Sequence, residues 1–423
     1  VPIEDLAESA QFNHAGRSRE PLRAVVGIPV RNEAERIEAC LLALQAQQTA
    51  PDQAFGVVLF LNNCTDATAA VVARLRPRLT FPLRVVERTF AGAQAGWARR
   101  AAMEAAASWL ETEAQAEAEP RPASEPAPEP AILTTDADSR VPPHWIARNL
   151  AALAAGADAV AGRIALDAED AARLPDALHA RGRLEGAYEA LLLELAARLD
   201  PDPHDRWPCH GTASGASLCV RLSAYRRAGG MPALPVGEDR AFVARLAAID
   251  ARLRHCPDLT VITSGRLDGR APGGAADTMR LRCTEPASPC DGRLEALPRA
   301  LFRILWRRRL RGLHGRGALA RTILWAPLLG VKRAEAERIG ALVSCGAALA
   351  AIEAASPRLV DRPLTPAELE PQIRRAGALL ALVRTARRLR DGPARIAALR
   401  ALTRGNPAPG AGTAPSPEGG GIG

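Results

Sequence analysis

Over the first two thirds of the chain, apolar runs of strand length alternate with stretches of helical spacing. Arg23–Val30 (RAVVGIPV) reads as a strand, and Glu33–Gln47 repeats Ile37, Leu41, Leu42 and Leu44 at helical intervals. The unit then recurs: Phe55–Leu61 (FGVVLFL) is a strand, NNCTDAT a turn, and Val71, Val72 and Leu75 mark a second helix. Leu83–Glu87 predicts a third strand, followed by GAQAGWARRAAMEAAASWL as a loop and helix and by a strand at Ile132–Thr135. Ala157–Ile164 and Leu259–Thr263 (LTVIT) add two more strands, and Asp176–Leu199 a long helix through Leu178, Leu184, Tyr188, Leu191 and Leu195. HGTASGASLCVRLSAYRRAGG and PVGEDRAFVARLAAI, between them, read as a loop and a helix start. This alternation predicts an α/β fold, an open, mostly parallel sheet flanked by helices.

The pattern also divides the chain. Residues 1–22 read as an N-terminal extension, and 23–274 as an α/β domain. Residues 114–130, where Glu, Ala and Pro alternate and nothing apolar can be buried, read as a disordered insertion in that domain, because the strand pattern resumes after them. From Ala275 the alternation stops; 275–404 predicts an Arg-rich helical region and 405–423 a disordered tail rich in Gly and Pro. No internal repeat is visible.

Charge and composition narrow the classes. The chain has 423 residues and a formal charge of +8, with Lys332 as its single lysine, so the positive charge is almost all arginine. Arginine suits anionic ligands or a membrane surface, although a GC-rich coding sequence produces the same bias. Aromatic residues make up 4% of the chain and do not interleave with arginine, which argues against nucleic acid as a partner. The eight cysteines show no C-x-x-C pair or metal-finger spacing and fit reduced thiols. The acidic start VPIEDLAESAQ lacks the features of a signal peptide, and the longest uncharged apolar segment, Ile339–Ile352, is short for a membrane span. A cytoplasmic protein is expected, with contact at the inner face of the membrane as an option for the basic region Trp306–Trp325.

Several polar residues fall where strands end. Asp136 and Asp138, one residue apart after the strand at Ile132–Thr135, can address one site, and two crowded carboxylates favour a cation between them. A hard divalent ion shared with a substrate phosphate suits them, whereas a helix cap before Pro142 and Pro143 is the plainer alternative. Pro29, Val30, Arg31, Asn32 and Glu33 lie at the next strand end, where Asn32 can equally cap a helix. Asn62, Asn63 and Asp66 follow the second strand; an amide offers a base edge both a donor and an acceptor, and Asp66 also suits a turn or cap. Glu238 and Asp239 open a helix, which its dipole alone would favour.

IPVRNEAERIEACLLALQAQ, VVLFLNNCTDAT, TTDADSRVPPHW and GASLCVRLSAYRRAGGMPALPVGEDRAF, in that order, together resemble the family 2 glycosyltransferases of GT-A fold. The resemblance covers Arg23–Arg270 and leaves the C-terminal third unmatched. It implies that Pro29–Glu33 hold the nucleotide of a nucleotide-sugar donor, with Glu33 near the ribose. Asn62 and Asn63 stand where the family has two acids, which puts the choice of base in question. The loop around Gly92, Gly96 and Arg99 resembles the next donor-side element, where Arg99 could meet a phosphate. Asp136 and Asp138 match the D-x-D pair that positions ribose and a divalent metal, Mg²⁺ or Mn²⁺. Asp239, with Glu238, matches the acidic pair that supplies the general base, and Gly215, Ala216 and Ser217 match the acceptor side.

What the resemblance implies is a bacterial, inverting, divalent-metal-dependent transfer of a sugar to an acceptor hydroxyl, on a lipid-linked or a small molecule. Many relatives complete the metal site with a histidine after the last of these strands. Here that neighbourhood reads Thr263, Ser264, Gly265 and Arg266, and His255 lies earlier. Arg266 could then contact the diphosphate and partly replace a cation. A non-catalytic sugar-nucleotide-binding or assembly protein on the same scaffold is the alternative, and a sugar-phosphate nucleotidyltransferase a further one, disfavoured by the absence of a Gly-rich phosphate loop.

Overall fold

The computed structural model describes residues 11–12, 21–90, 94–116, 128–269 and 272–404. Gly92, most of the N-terminal extension, the body of the predicted insertion and the tail from 405 lie outside the described residues. The expected open α/β sheet forms. Its strands are β1 (Gln11–Phe12), β2 (Ala24–Val30), β3 (Phe55–Asn62), β4 (Leu83–Arg88), β5 (Ala131–Thr134), β6 (Ala159–Leu166), β7 (Leu218–Arg221) and β8 (Leu253–Thr263). They lie in the order β1-β4-β3-β2-β5-β7-β6-β8. Neighbours pair in parallel except β1, against β4, and β7, which runs antiparallel to both β5 and β6.

The helices are α1 (Ile37–Gln45), α2 (Thr68–Leu75), α3 (Ala95–Ala116), α4 (Trp145–Ala154), α5 (Ala168–Ala172), α6 (Asp176–Leu199), α7 (Leu222–Arg227) and α8 (Glu238–Ala248). After them come α9 (Ala275–Thr284), α10 (Leu297–Gly315), α11 (Ala326–Leu329), α12 (Arg333–Gly340), α13 (Cys345–Ala355) and α14 (Leu369–Arg404). Because successive strand residues face opposite sides, β2 feeds two cores. Val26, Ile28 and Val30 pack with Ile37, Leu41 and Leu44 of α1, Val72 of α2 and Trp145 of α4. Val25 faces the other layer, with Met103 and Leu110 of α3, Tyr225 of α7 and Phe242 of α8. On that side a Cβ at Gly27 would stand 2.9 Å from the Ala102 carbonyl oxygen, so glycine lets α3 lie directly on the sheet.

Two strands differ from expectation. β7 lies in the stretch read as loop, since LCVR is short and follows the small residues Ala213–Ser217. β8 starts six residues before the LTVIT run. Its register against β6 shifts at Gly162/Arg163, and the polar residues Arg254 and His255 hide its beginning. Helix α3 also runs on to Ala116, into the start of the predicted insertion.

The Arg-rich region is helical, as expected, and has its own core of Leu310, Leu313, Trp325, Leu329, Ile339 and Ile352. It is fastened to α8, because the Asp250 carboxylate accepts the backbone amides of Cys345 (3.0 Å) and Gly346 (2.7 Å) at the head of α13. The chain divides after Ala376, and the second unit, Gly377–Gly423, carries the remainder of α14. Among the described residues no helix is long and apolar enough to cross a membrane.

Candidate active site

The parallel strands β2, β3 and β5 end at Val30, Asn62 and Thr134, at the crevice where ligands of such sheets bind. The segments after β2 and β3 are tied together. Asn32, at a left-handed φ of 53°, accepts the Thr65 amide (2.8 Å) and donates to the Thr65 hydroxyl (3.2 Å). The Glu33 amide donates to Thr68 Oγ1 (2.8 Å), and Asp66 accepts the amides of Ala34 (3.1 Å) and Thr68 (3.0 Å). Asp66 thus acts as cap and cross-link. Desolvation works against its charge, but the Thr68 hydroxyl and these amides hold the carboxyl below its ordinary value. Val30 points into the core, while Pro29 and Arg31 are half-buried beside it.

The buried Glu33 carboxylate meets the guanidinium of Arg266, 233 residues away, through both terminal nitrogens, one of them at 2.8 Å. The same guanidinium lies 3.1 Å from Asp138 Oδ2. Its loop is held by Asp170, which accepts Ser264 Oγ (3.1 Å) and the Gly265 amide (2.9 Å) and pairs with Arg36 at 3.0 Å. Arg36 and these bonds, against desolvation, bring the Asp170 carboxyl down to about 2. Arg266 is therefore a built-in cation at the strand ends. No local pattern announces Arg36 or Asp170 as its support.

Arg99 is the second hub, and its surroundings correct the reading of it as a phosphate contact. It is buried, and its Nε donates to Glu238 Oε1 (3.0 Å) and Nη2 to Asp136 Oδ1 (2.6 Å). Nη1 donates to Thr134 Oγ1 and to the Gly215 carbonyl, both at 3.0 Å. Four of its five N–H groups are thus spent inside the protein. Gly215 is required here, because a Cβ at that position would collide with the guanidinium. Glu238, equally buried, faces inward and positions Arg99.

Asp239 turns the other way. Its Oδ2 accepts the Gly215 amide (3.0 Å) and its Oδ1 the Arg240 amide (2.7 Å), so two backbone donors orient the carboxylate. Gly215 thereby joins the two halves of the site, its carbonyl on Arg99 and its amide on Asp239. Asp138 is mostly buried; desolvation first, then the charge of Asp136, push its carboxyl up to about 7, with Arg266 opposing and Glu33 adding to the rise.

Three expected contacts, Ala216, Ser217 and Asn63, turn inward or elsewhere. Ser217 is buried, and its Oγ accepts the Trp145 indole N–H at 3.1 Å; Ala216 is buried as well. Neither presents a side chain to an acceptor. Asn63, at φ 52°, uses its amide to bridge the Phe90 backbone, donating at 2.8 Å and accepting at 3.0 Å, which extends the β3–β4 ladder. His255 lies within β8 and pairs through Nδ1 with Asp205 at 2.7 Å. Asn62 differs from these, because its buried Oδ1 has no hydrogen-bond partner among the described residues, as does Thr135 Oγ1. A buried acceptor left open at a strand end is costly unless a ligand or water satisfies it.

The acids outnumber the arginines. Glu33, Asp136, Asp138 and Glu238 share Arg99 and Arg266, and Asp239 stands beside them. Among the described residues no three metal-ligand side chains converge on one point. Asp136 and Asp138 with two donor phosphates would nevertheless suit Mg²⁺ or Mn²⁺, which bind through one or two carboxylates plus substrate oxygens. The surplus negative charge fits such an ion.

Residues 25–109, from β2 through most of α3, match the model of glycosyl transferase family 2. The match contains the first two of the four sequence islands and bears out the resemblance, and with it the enzyme class, glycosyltransferase; the other two islands lie beyond it. No curated protein matches the chain in sequence. Among solved structures, the chain is similar to S. aureus TarS 1–349 in complex with UDP-GlcNAc at 20% identity and a TM-score of 0.42, covering 88% of this chain and 92% of that one. A mannosyltransferase from Pyrobaculum calidifontis in complex with GDP-Man and Mn²⁺ is similar at 17% identity and a TM-score of 0.37, covering 83% and 91%.

Proposed function

We propose that this glycosyltransferase moves a sugar from a nucleotide-sugar donor to an acceptor hydroxyl with inversion at the anomeric carbon. The observation that carries the reading is the convergence of Glu33, Asp136, Asp138 and Asp239, from two strand ends and one helix head, around the buried Arg99 and the half-buried Arg266. In this reading Glu33, braced by Arg266, meets the ribose, and Asn62 Oδ1, an acceptor without a partner among the described residues, takes an N–H of the base. Asp239, held by two amides, takes the proton of the acceptor hydroxyl as its oxygen attacks the anomeric carbon. The bond to the diphosphate breaks on the opposite face, and the nucleoside diphosphate leaves with the electron pair.

Asp136 and Asp138 would hold a divalent cation, which supplies charge neutralisation for the departing diphosphate. Arg266, between Glu33 and Asp138, adds a fixed positive charge to the same region, so metal removal should reduce transfer without abolishing donor binding. The test pairs Asp239→Asn with a scan of nucleotide sugars. Transfer should fall by about 10²–10⁴-fold while thermal stabilisation by the nucleoside diphosphate persists. Unchanged turnover would remove Asp239 as the base.

A further inference from the structure

Helix α10 sorts its arginines by direction. Between Glu295 and Glu335 the chain has ten basic residues and no acidic one. Those facing the protein find carboxylates from elsewhere: Arg299 and Arg303 on Glu295, Arg303 also on Asp361, Arg307 on Glu353 and Arg311 on Asp200. Arg308, Arg309, Arg316 and Arg321 are exposed and have no carboxylate partner among the described residues. Arg308 donates only to the Leu199 carbonyl (2.8 Å), and Arg309 lies over the Trp306 ring at 5.4 Å.

Leu305, Arg308, Arg309, Gly312 and Arg316 recur at helical intervals on one stripe, where with Leu313 they line a cavity of about 420 Å³. Apolar residues border the stripe. Leu305 is 51% exposed, and the turn that Arg309 reaches through the Leu324 carbonyl (3.4 Å) presents Ile323 at 80% exposure. Leu328, on the helix that follows, is half exposed. An exposed isoleucine beside unpaired arginines costs hydration in water, yet fits an interface where apolar tips enter the headgroup region and guanidinium groups meet phosphates.

We propose that this face of α10, with the turn at Thr322–Leu324, docks the protein on an anionic lipid bilayer, and that the arginine-lined cavity receives a lipid phosphate. Charge complementarity selects this occupant, since a protein partner would have to supply carboxylates to every unpaired arginine while leaving Ile323 and Leu328 a separate apolar seat. None of these residues touches the carboxylate cluster, so the proposal stands apart from the reaction.

The test is flotation of the full chain with vesicles of phosphatidylglycerol and phosphatidylcholine, against pure phosphatidylcholine, at low and high salt. Binding should require the anionic lipid and weaken with salt. The double variant Arg316→Glu/Arg321→Glu should reduce partitioning by roughly 10-fold or more. Arg183→Glu/Arg227→Glu, at exposed positions on α6 and α7, makes the same change in net charge and should leave binding unchanged. Ile323→Ser should lower the salt-resistant fraction, and its exposure makes it safe for folding. Equal losses in the two charge-reversal variants, equal binding to neutral vesicles, or complete displacement by soluble polyphosphate would each overturn the proposal.

Discussion

Arg99 and Arg266 in the crevice and Arg308, Arg309 and Arg316 on the outer stripe of α10 are the same residue type in opposite settings. The crevice pair is wrapped by carboxylates, with Arg99 held by Asp136 and Glu238 and Arg266 by Glu33 and Asp138. On the α10 stripe the guanidinium groups meet backbone carbonyls, a ring or solvent. A buried ion pair is expensive to break because the surviving charge stays dry, whereas an exposed arginine loses little when replaced. Arginine in the crevice therefore fixes geometry, and arginine on α10 remains available to an outside anion.

The sharpest way to break this contrast is Arg99→Met. It leaves Glu238 buried without its partner and frees Asp136, so unfolding in urea should show a loss of about 3–5 kcal/mol, with transfer abolished. A loss below about 1 kcal/mol would mean that the crevice arginines are no more structural than those of α10. Acid should act next, through His210. His210 accepts the Thr212 amide at Nδ1 (3.1 Å) and contacts the Cys256 carbonyl through Nε2 (3.2 Å), an arrangement that needs the neutral ring with its proton on Nε2. Desolvation, then His255, bring its pKa down to about 4.

The unfolded chain, with a histidine pKa near 6.5, takes up this proton first, so stability contributed above pH ~6.5 is lost as pH falls towards 4. The ceiling is about 3 kcal/mol, and His210→Gln should flatten the slope of urea midpoint against pH in that window.

Arg266→Ala should act chiefly on charge. With Glu33 and Asp138 released, the Mn²⁺ concentration that half-stabilises the protein should fall by roughly 3- to 10-fold, read by thermal shift without nucleotide. Higher Mn²⁺ demand would show that Arg266 organises the cation site and does not compete with it. Smallest of all, Arg316→Glu should change stability by less than about 0.5 kcal/mol in urea, because its side chain has no carboxylate partner among the described residues.

The sheet was legible where strands lie inside it. β2, β3 and β5 are covered on both faces, so RAVVGIPV, FGVVLFL and the run at Ile132 stand out as unbroken apolar segments. β8 is an edge strand whose first residues serve a neighbouring loop; Arg254 donates to Asp205 Oδ1 (3.1 Å) and to the Pro208 carbonyl (3.0 Å), and the apolar signal disappears. The same division applies to the crevice. Asp136, Asp138, Glu33 and Asp239 were singled out by the resemblance of their motifs, since position after a strand or at a helix head alone suits a cap equally well. Motif position fixes the backbone and leaves side-chain direction open, which is why Ser217 and Asn63 were expected at a ligand and are found on Trp145 and Phe90. Arg99 and Arg266 were noticed, but their pairing was not, because the partners are remote: Glu238 lies 139 positions from Arg99 and Glu33 lies 233 from Arg266.

The bonds from Asp250 to the head of α13 also bear on how the protein can be dissected. Asp250 closes α8, the helix that opens with Glu238 and Asp239, and Ser344 Oγ adds a bond to the Ala248 carbonyl in the same place. A fragment ending near Gly274 would keep every carboxylate of the crevice and lose this rear mounting of α8. Its failure to transfer sugar would then report a helix set loose at its far end. Grafting a foreign C-terminal region onto residues 23–274 should accordingly carry over a helix head that replaces Ser344, Cys345 and Gly346.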